Sequence, residues 1–320
     1  VSLDNGSSWN TATVTGTTYT LSGVTLVSSN TLQVRVEDAA GNAGTANTKA
    51  YVLDTTAPNA PGITSVTDSV GSITGTLTSS GSTDDTTPMI RVSLTGTNAV
   101  VGDSVQIYNN TTALGTATPL TDIHITAGYV DITTGTLIQG TYVLNAKVID
   151  VAGNVSIASS SFTTTVDTTA PTVSSVAISS ATGALNSTLN AGDVVTATVT
   201  MSEAITVSGS PQLALNIGGS TVQGTYDSVN STATALKFNY TILSGQTDTN
   251  GISVVANSLG LNSGTIVDLA GNTATITHSL VADNSLYKVD TTAPSAPTIT
   301  VTDNISPITG TLTSSGSTDD

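Results

Sequence analysis

Asp54-Thr55-Thr56-Ala57-Pro58 occurs again, unchanged, as Asp167-Thr168-Thr169-Ala170-Pro171 and as Asp290-Thr291-Thr292-Ala293-Pro294. Each copy follows a β-branched or aromatic stretch (Tyr51-Val52-Leu53, Phe162 to Val166, Tyr287-Lys288-Val289) and precedes a new alternating apolar run. The three copies read as joints between domains. Proline fixes φ, withholds a backbone donor and drives the residue before it to extended geometry, so the chain crosses each joint stiffly. From joint to joint is 167 − 54 = 113 and 290 − 167 = 123 residues, each the size of one all-β domain. The expected division is 1–53, the end of one domain; 54–166 and 167–289, two whole domains; and 290–320, the start of another. Ile308 to Asp320 also repeats Ile73 to Asp85 letter for letter, 308 − 73 = 235 residues on. Such self-similarity reads as an excerpt from a tandem array of two alternating module types.

Between the joints the pattern has a period of two. Leu32, Val34 and Val36 alternate with Gln33, Arg35 and Glu37; Tyr142, Leu144, Ala146 and Val148 alternate with Val143, Asn145, Lys147 and Ile149. In the next module Val195, Ala197, Val199 and Met201 alternate with threonines, and Leu236, Phe238, Tyr240 and Ile242 with Lys237, Asn239 and Thr241. These are half-buried strands, and their number and spacing predict β-sandwiches. Helical periodicity is absent. The stretch from Ile252 to Ile266 reads as a short helix or a long loop. Asp38-Ala39-Ala40-Gly41-Asn42, Asp150-Val151-Ala152-Gly153-Asn154 and Asp268-Leu269-Ala270-Gly271-Asn272 each end a strand in a hairpin turn before the final strand.

Only 9% of residues are charged, far below the roughly 25% of ordinary soluble domains. Serine, threonine, glycine and asparagine take up the difference. With 22 acidic against 6 basic residues the net charge is −16, which repels nucleic acid and an anionic membrane surface alike. No stretch reads as membrane-inserting, and no cysteine is present for a disulfide or a thiolate metal site. All the acids except Glu37 and Glu203 are aspartates, mostly in turns and joints.

The Asp-x-Ala-Gly-Asn turn, a final strand, then Val-Asp-Thr-Thr-Ala-Pro, with Ser82-Thr83-Asp84-Asp85-Thr86-Thr87-Pro88 inside the module, resembles the bacterial Ig-like repeats of giant surface adhesins. The resemblance covers essentially the whole chain. It implies tandem Ig-like β-sandwich domains in an elongated array, of the kind that form the stalks of Bap-like, SiiE-like and LapA-like proteins. Those are exported by type I secretion to the extracellular bacterial surface, serve adhesion and biofilm formation, and bind Ca²⁺ at domain junctions. Partners would be the neighbouring repeats and, through other regions, a host or abiotic surface. The module 167–289 departs from the pattern by lacking Asp-Asp-Thr-Thr-Pro after its first strand.

In such a sandwich the loop between the last two strands lies at one end of the domain and the loop after the first strand at the other. Asp84 and Asp85 are then expected to meet Asp167 of the linker and Asp268 of the next turn. Asp54 is expected to meet Asp150, and Asp290 to await a turn of the following module. Carboxylates about 4 Å apart repel by roughly 4 kcal/mol at an effective dielectric of 20, so a cluster of them calls for a counter-ion. Ca²⁺ takes six to eight oxygens in a flexible shell, the donor type that aspartates and turn carbonyls offer. The turn also reads as hairpin chemistry alone, with Asp accepting backbone hydrogen bonds and Gly and Asn at positive φ; the linker also reads as a metal-free capped joint.

No catalytic constellation assembles. Asp122-x-His124 sits on one strand face in this reading, and His278 lies in another module, which leaves no nucleophile, base and orienter together. Tyr142 reads as a sandwich-corner residue, and Thr196-x-Thr198-x-Thr200 as the wet side of a strand. The sequence therefore points to a non-enzymatic extender segment. Its rivals are a carbohydrate-binding module, which needs Trp9, Tyr226 or Tyr240 on an open face, and an accessory module of a secreted enzyme.

Overall fold

A computed structural model describes residues 1–305 and 309–315; residues 308 and 316–320 of the letter-for-letter copy lie outside the described residues. Two compact units are present, one of residues 1–169 with 269–272, the other of 170–268 with 273–320. Strands dominate both, and among the described residues no helix is long and apolar enough to cross a membrane.

In the first 53 residues, β1 (Thr13–Thr15) pairs with β2 (Thr18–Thr20), and β3 (Asn30–Val34) with β4 (Asn47–Tyr51). The Arg35 guanidinium lies 4.0 Å from the centre of the Trp9 ring and 3.5 Å from the Glu37 carboxylate. Val14, Val36 and Val52 remain exposed.

Residues 54–166 form two facing sheets. Their strands are β5 (Gly62–Asp68), β6 (Gly75–Thr76), β7 (Gly81–Thr83), β8 (Met89–Ser93), β9 (Ser104–Asn109), β10 (Thr112–Pro119), β11 (Tyr129–Thr133), β12 (Gly140–Ile149) and β13 (Phe162–Val166). One sheet runs β10-β9-β12-β13-β7, with β7 parallel to β13, and the other β11-β8-β5-β6. The period-two positions meet between them: Leu144, Ala146 and Val148 bury against Val66, Ile90, Val92 and Val130. Tyr142 turns the corner. Its hydroxyl donates to the Ile138 carbonyl at 2.9 Å and accepts from the Ile138 N–H at 3.1 Å, the upstream closure typical of such sandwiches. Edge strand β11 carries an internal charge: Asp131 takes a bidentate bond from Arg91, both contacts at 2.7 Å, and Arg91 lies over Tyr129. The guanidinium holds the Asp131 carboxyl below the usual carboxylate range, and a paired charge on an edge discourages pairing with another chain.

One expectation fails in this module. Asp122 and His124 do not lie on a strand, because Asp122–Ala127 forms the short helix α1. The Thr121 N–H donates to His124 Nδ1 at 3.2 Å, so His124 caps the helix and does not share a strand face with Asp122. Gly128, at φ 75°, stops the helix with its N–H on the His124 carbonyl, the usual left-handed helix end. A six-residue helix is too short to print a 3.6-residue period.

The second unit holds β14 (Val173–Thr182), β15 (Thr188–Leu189), β16 (Val194–Met201), β17 (Ile205–Ser208), β18 (Gln212–Ile217), β19 (Ser220–Tyr226), β20 (Ala235–Thr241), β21 (Thr247–Asp248), β22 (Ser253–Gly260), β23 (Thr265–Asp268) and β24 (Lys288–Asp290). Six strands run in the order β14-β16-β20-β19-β18-β22, beside the smaller groups β15-β24-β21 and β17-β23. Val195, Ala197, Val199, Leu236 and Phe238 form its core. The threonines opposite them face outward; Thr198 bonds Ser179 at 2.7 Å and Thr196 bonds Asn239 at 2.8 Å. The stretch 252–266 holds β22 and the start of β23 joined by a tight turn at 261–264, not the expected helix or long loop. A bulge between Val254 and Leu259 hides the alternation. His278 stitches that bulge, its N–H donating to Asn257 Oδ1 and its Nε2 accepting from the Ser258 N–H. A short ladder of β25 (Thr302–Asp303) with β26 (Gly310–Thr311) follows.

Candidate metal centre

All three linkers fold the same way. Asp54, Asp167 and Asp290 each accept, through Oδ1, the N–H two residues on, from Thr56, Thr169 and Thr292 at 2.9, 3.0 and 2.9 Å. A short carboxylate mimics a backbone turn in this way, and the second oxygen of each Asp takes no part in it. The linker threonines anchor backwards. Thr169 donates to Gln139 Oε1 at 2.8 Å, and Thr291 donates to the Gln246 carbonyl at 2.9 Å.

The Asp-x-Ala-Gly-Asn turns at 38–42 and 150–154 also share one closure. Asp150 Oδ1 accepts the Asn154 N–H and Oδ2 the Asn154 Nδ2, both at 2.8 Å; Asp38 and Asn42 repeat this at 2.8 and 2.9 Å. The asparagine amide is the main reason both aspartates sit below the ordinary carboxylate range. Gly41, Gly153 and Gly271 have φ of 89°, 93° and 106°, where L side chains are strained. The hairpin chemistry anticipated for the turn is therefore present, and it accounts for the motif's glycine and asparagine.

At the first joint, linker and turn meet. Asn154 Nδ2 donates to the Asp54 carbonyl at 3.2 Å. Asp54 and Asp150 line one cleft of about 550 Å³ with Asp103, Val100 and Val151. Nothing local singles out Asp103, an aspartate after Val100-Val101-Gly102. It is buried and braces the cleft, with Oδ2 on the Val100 N–H and Oδ1 on the Val151 N–H.

Turn 269–272 belongs to the first unit, and its neighbours there are Asp84 and Asp167. The Asp84 N–H donates to the Ala270 carbonyl at 3.2 Å, and Asn272 Nδ2 donates to the Asp167 carbonyl at 2.8 Å. Asp84 Oδ2 sits where Gly71 and Gly271 leave room; a Cβ on Gly71 would come within 1.9 Å of it. Asp85 points the other way. It is fully buried, with Oδ2 on the Ser69 N–H and hydroxyl and Oδ1 on the Thr87 N–H and hydroxyl. Burial pushes its carboxyl up, and the bonds from Thr87 and Ser69 outweigh that and hold it below the ordinary value. In the second unit Asp268 is buried at the end of β23, with a carboxylate oxygen within 4.8 Å of one from Glu203. Glu203 was not among the residues anticipated. Asp290 stands exposed at the end of β24.

The donors fit a hard cation. Every group named is an oxygen, and two oxygens bound to one Ca²⁺ at about 2.3–2.6 Å each can be no more than roughly 5 Å apart, a limit the Glu203–Asp268 pair meets. Two like charges at that distance repel by about 3–4 kcal/mol at an effective dielectric of 20. A sugar platform fits less well. Trp9 is covered by Arg35, Tyr226 packs on Phe238 at 5.9 Å, and the Tyr240 hydroxyl is bonded to Gln246.

The fold is thus one of β-sandwiches, without an assembled catalytic group among the described residues. No protein-family model matches the chain. It is 33% identical over 193 residues to chitinase A1 of Niallia circulans and 34% identical over 173 residues to exoglucanase B of Cellulomonas fimi. These matches cover 57% and 50% of this chain, but only 23% and 14% of those enzymes. Among solved structures, the Clostridium thermocellum CbhA fibronectin(III)-like modules are similar at 17% identity, over 62% of this chain and 90% of theirs, with a TM-score of 0.26. A Ca²⁺-stabilised adhesin, described as helping an Antarctic bacterium reach out and bind ice, is similar at 20% identity over 86% of this chain and 59% of its own, with a TM-score of 0.35.

Proposed function

We propose that this chain is a non-catalytic extender segment of an extracellular bacterial adhesin, a series of sandwich modules whose joints are stiffened by Ca²⁺. Asp54 and Asp150 would hold the ion at the first joint. Asp84, Asp167 and Asp268, with Asp85 supporting the loop from beneath, would do so at the second. Asp290 would serve a third. The observation that carries the reading is the recurrence, at residues 54/154 and 167/272, of one linker-to-turn closure in an acidic setting. An ion that binds only the ordered joint stabilises it by about 2.7 kcal/mol at 100 times Kd. Few exposed aromatics and little positive charge suit a spacer, since binding hot spots are rich in Trp, Tyr and Arg.

Calcium titration of the full chain, followed by calorimetry and small-angle scattering, tests it. Binding in the roughly 10⁻⁴–10⁻³ M range of extracellular modules, with a narrower distribution of dimensions in Ca²⁺ than in chelator, is expected. Dimensions and melting temperature indifferent to chelator would overturn the calcium mechanism. The identity to segments of two named glycan hydrolases favours a second reading, an accessory module of a secreted enzyme. Retention on insoluble polysaccharide, with no response of the joints to Ca²⁺, would select it.

A further inference from the structure

We infer that the side-chain amide of the turn asparagine, Asn154 beside the first linker and Asn272 beside the second, is a metal-independent latch that ties the linker to the Asp-x-Ala-Gly-Asn turn. The inference rests on the extender reading, in which the joints are the working parts. A primary amide has two N–H groups. Asn154 places one on Asp150 Oδ2 at 2.8 Å, which closes its own turn, and the other on the Asp54 carbonyl at 3.2 Å. Asn272 makes the same reach to the Asp167 carbonyl, at 2.8 Å and 272 − 167 = 105 residues away. Reversing the Asn154 amide would set its oxygen against a carboxylate and a carbonyl, so the orientation is determined by its partners.

The acceptor is a backbone carbonyl, not the linker carboxylate. The bond therefore survives whether or not the aspartates hold a cation, and it restrains the chain at the residue where one module's last strand has just ended. Asn42 supplies an internal control. Its amide closes the Asp38 turn at 2.9 Å, and among the described residues no linker carbonyl is its second partner.

The full chain, labelled with ¹⁵N and held in chelator, gives the test. The side-chain amide protons of Asn154 and Asn272 should exchange about tenfold more slowly than those of Asn42. Because the chain has no cysteine, spin labels can also be placed at Thr48→Cys and Thr112→Cys. Asn154→Ala should broaden their distance distribution in chelator, whereas Asn272→Ala should leave it unchanged. Equal exchange at all three asparagines, or a distribution unmoved by Asn154→Ala, overturns the latch; should that variant fail to fold, the exchange rates decide alone. Protection seen only with Ca²⁺ would also overturn the latch while leaving the calcium reading intact. Protection in chelator with no calcium response anywhere would leave the latch standing and remove the calcium reading.

Discussion

Residues 30–38 and 142–150 are written to one plan, offset by 150 − 38 = 112 positions, yet they end in different surroundings. Leu32 corresponds to Leu144 and Val36 to Val148, and both stretches form a strand leading into an Asp-x-Ala-Gly-Asn turn. Val148 is fully buried, whereas Val36 is 66% exposed. The reason lies across the sandwich. Leu144 and Val148 face Val66, Ile90, Val92 and Val130 from the opposing sheet, and no residue of the first 53 enters either core cluster. A period of two is enough to make a ladder and a turn; a core requires a second sheet.

The largest effect should separate the two stretches. Leu144→Ala removes a fully buried side chain and should cost about 2–5 kcal/mol in chemical denaturation. Leu32→Ala should cost under about 1 kcal/mol, and equal losses would break the comparison. The turn glycines should follow. A Cβ at Gly41 meets nothing within 4 Å, whereas at Gly271 it comes within 3.2 Å of the Ile73 nitrogen. Both substitutions bear the strain of positive φ, about 1 kcal/mol or more, so Gly271→Ala should lower the melting temperature further than Gly41→Ala.

The corner hydroxyl exists in only one stretch, because Asn30 stands where Tyr142 does. Tyr142→Phe should cost about 1 kcal/mol, read as a shift in the denaturation midpoint at constant slope. The smallest effect is that of pH. Asp4, bonded by Ser8 and Ser2, is lowered from the ordinary 3.8 to about 2, and Asp38 and Asp150 are lowered as well. A carboxyl lowered on folding adds stability that is complete above the unfolded value and disappears as pH falls through the folded one. Resonances of the Asp4 turn should therefore titrate with a midpoint at about pH 2, and Asp4→Asn should abolish that change. A titration centred at the ordinary value would contradict the bonds from Ser8 and Ser2.

Legibility followed chain distance. The linkers, the turns and the buried face of 142–148 could all be read, because each depends on a few neighbouring residues. Helix α1 could not, since six residues carry no period, although Thr121 and Gly128 were standing signals of its ends. The bulge after Val254 broke the alternation that would have revealed β22. At the joints the sequence singled out the linker and turn aspartates, but Asp85 turned inward to Ser69 and Thr87, and Asp103 and Glu203 had no motif to announce them.

By itself the sequence determined the all-β character and the form of the turns, since glycine and short carboxylates act on the backbone beside them. Only the tertiary structure decided which alternating strands acquired a core and which aspartates turned toward a joint. Both outcomes depend on groups brought together from distant parts of the chain, such as Asn154 from a hundred residues beyond Asp54, and no local pattern encodes that meeting.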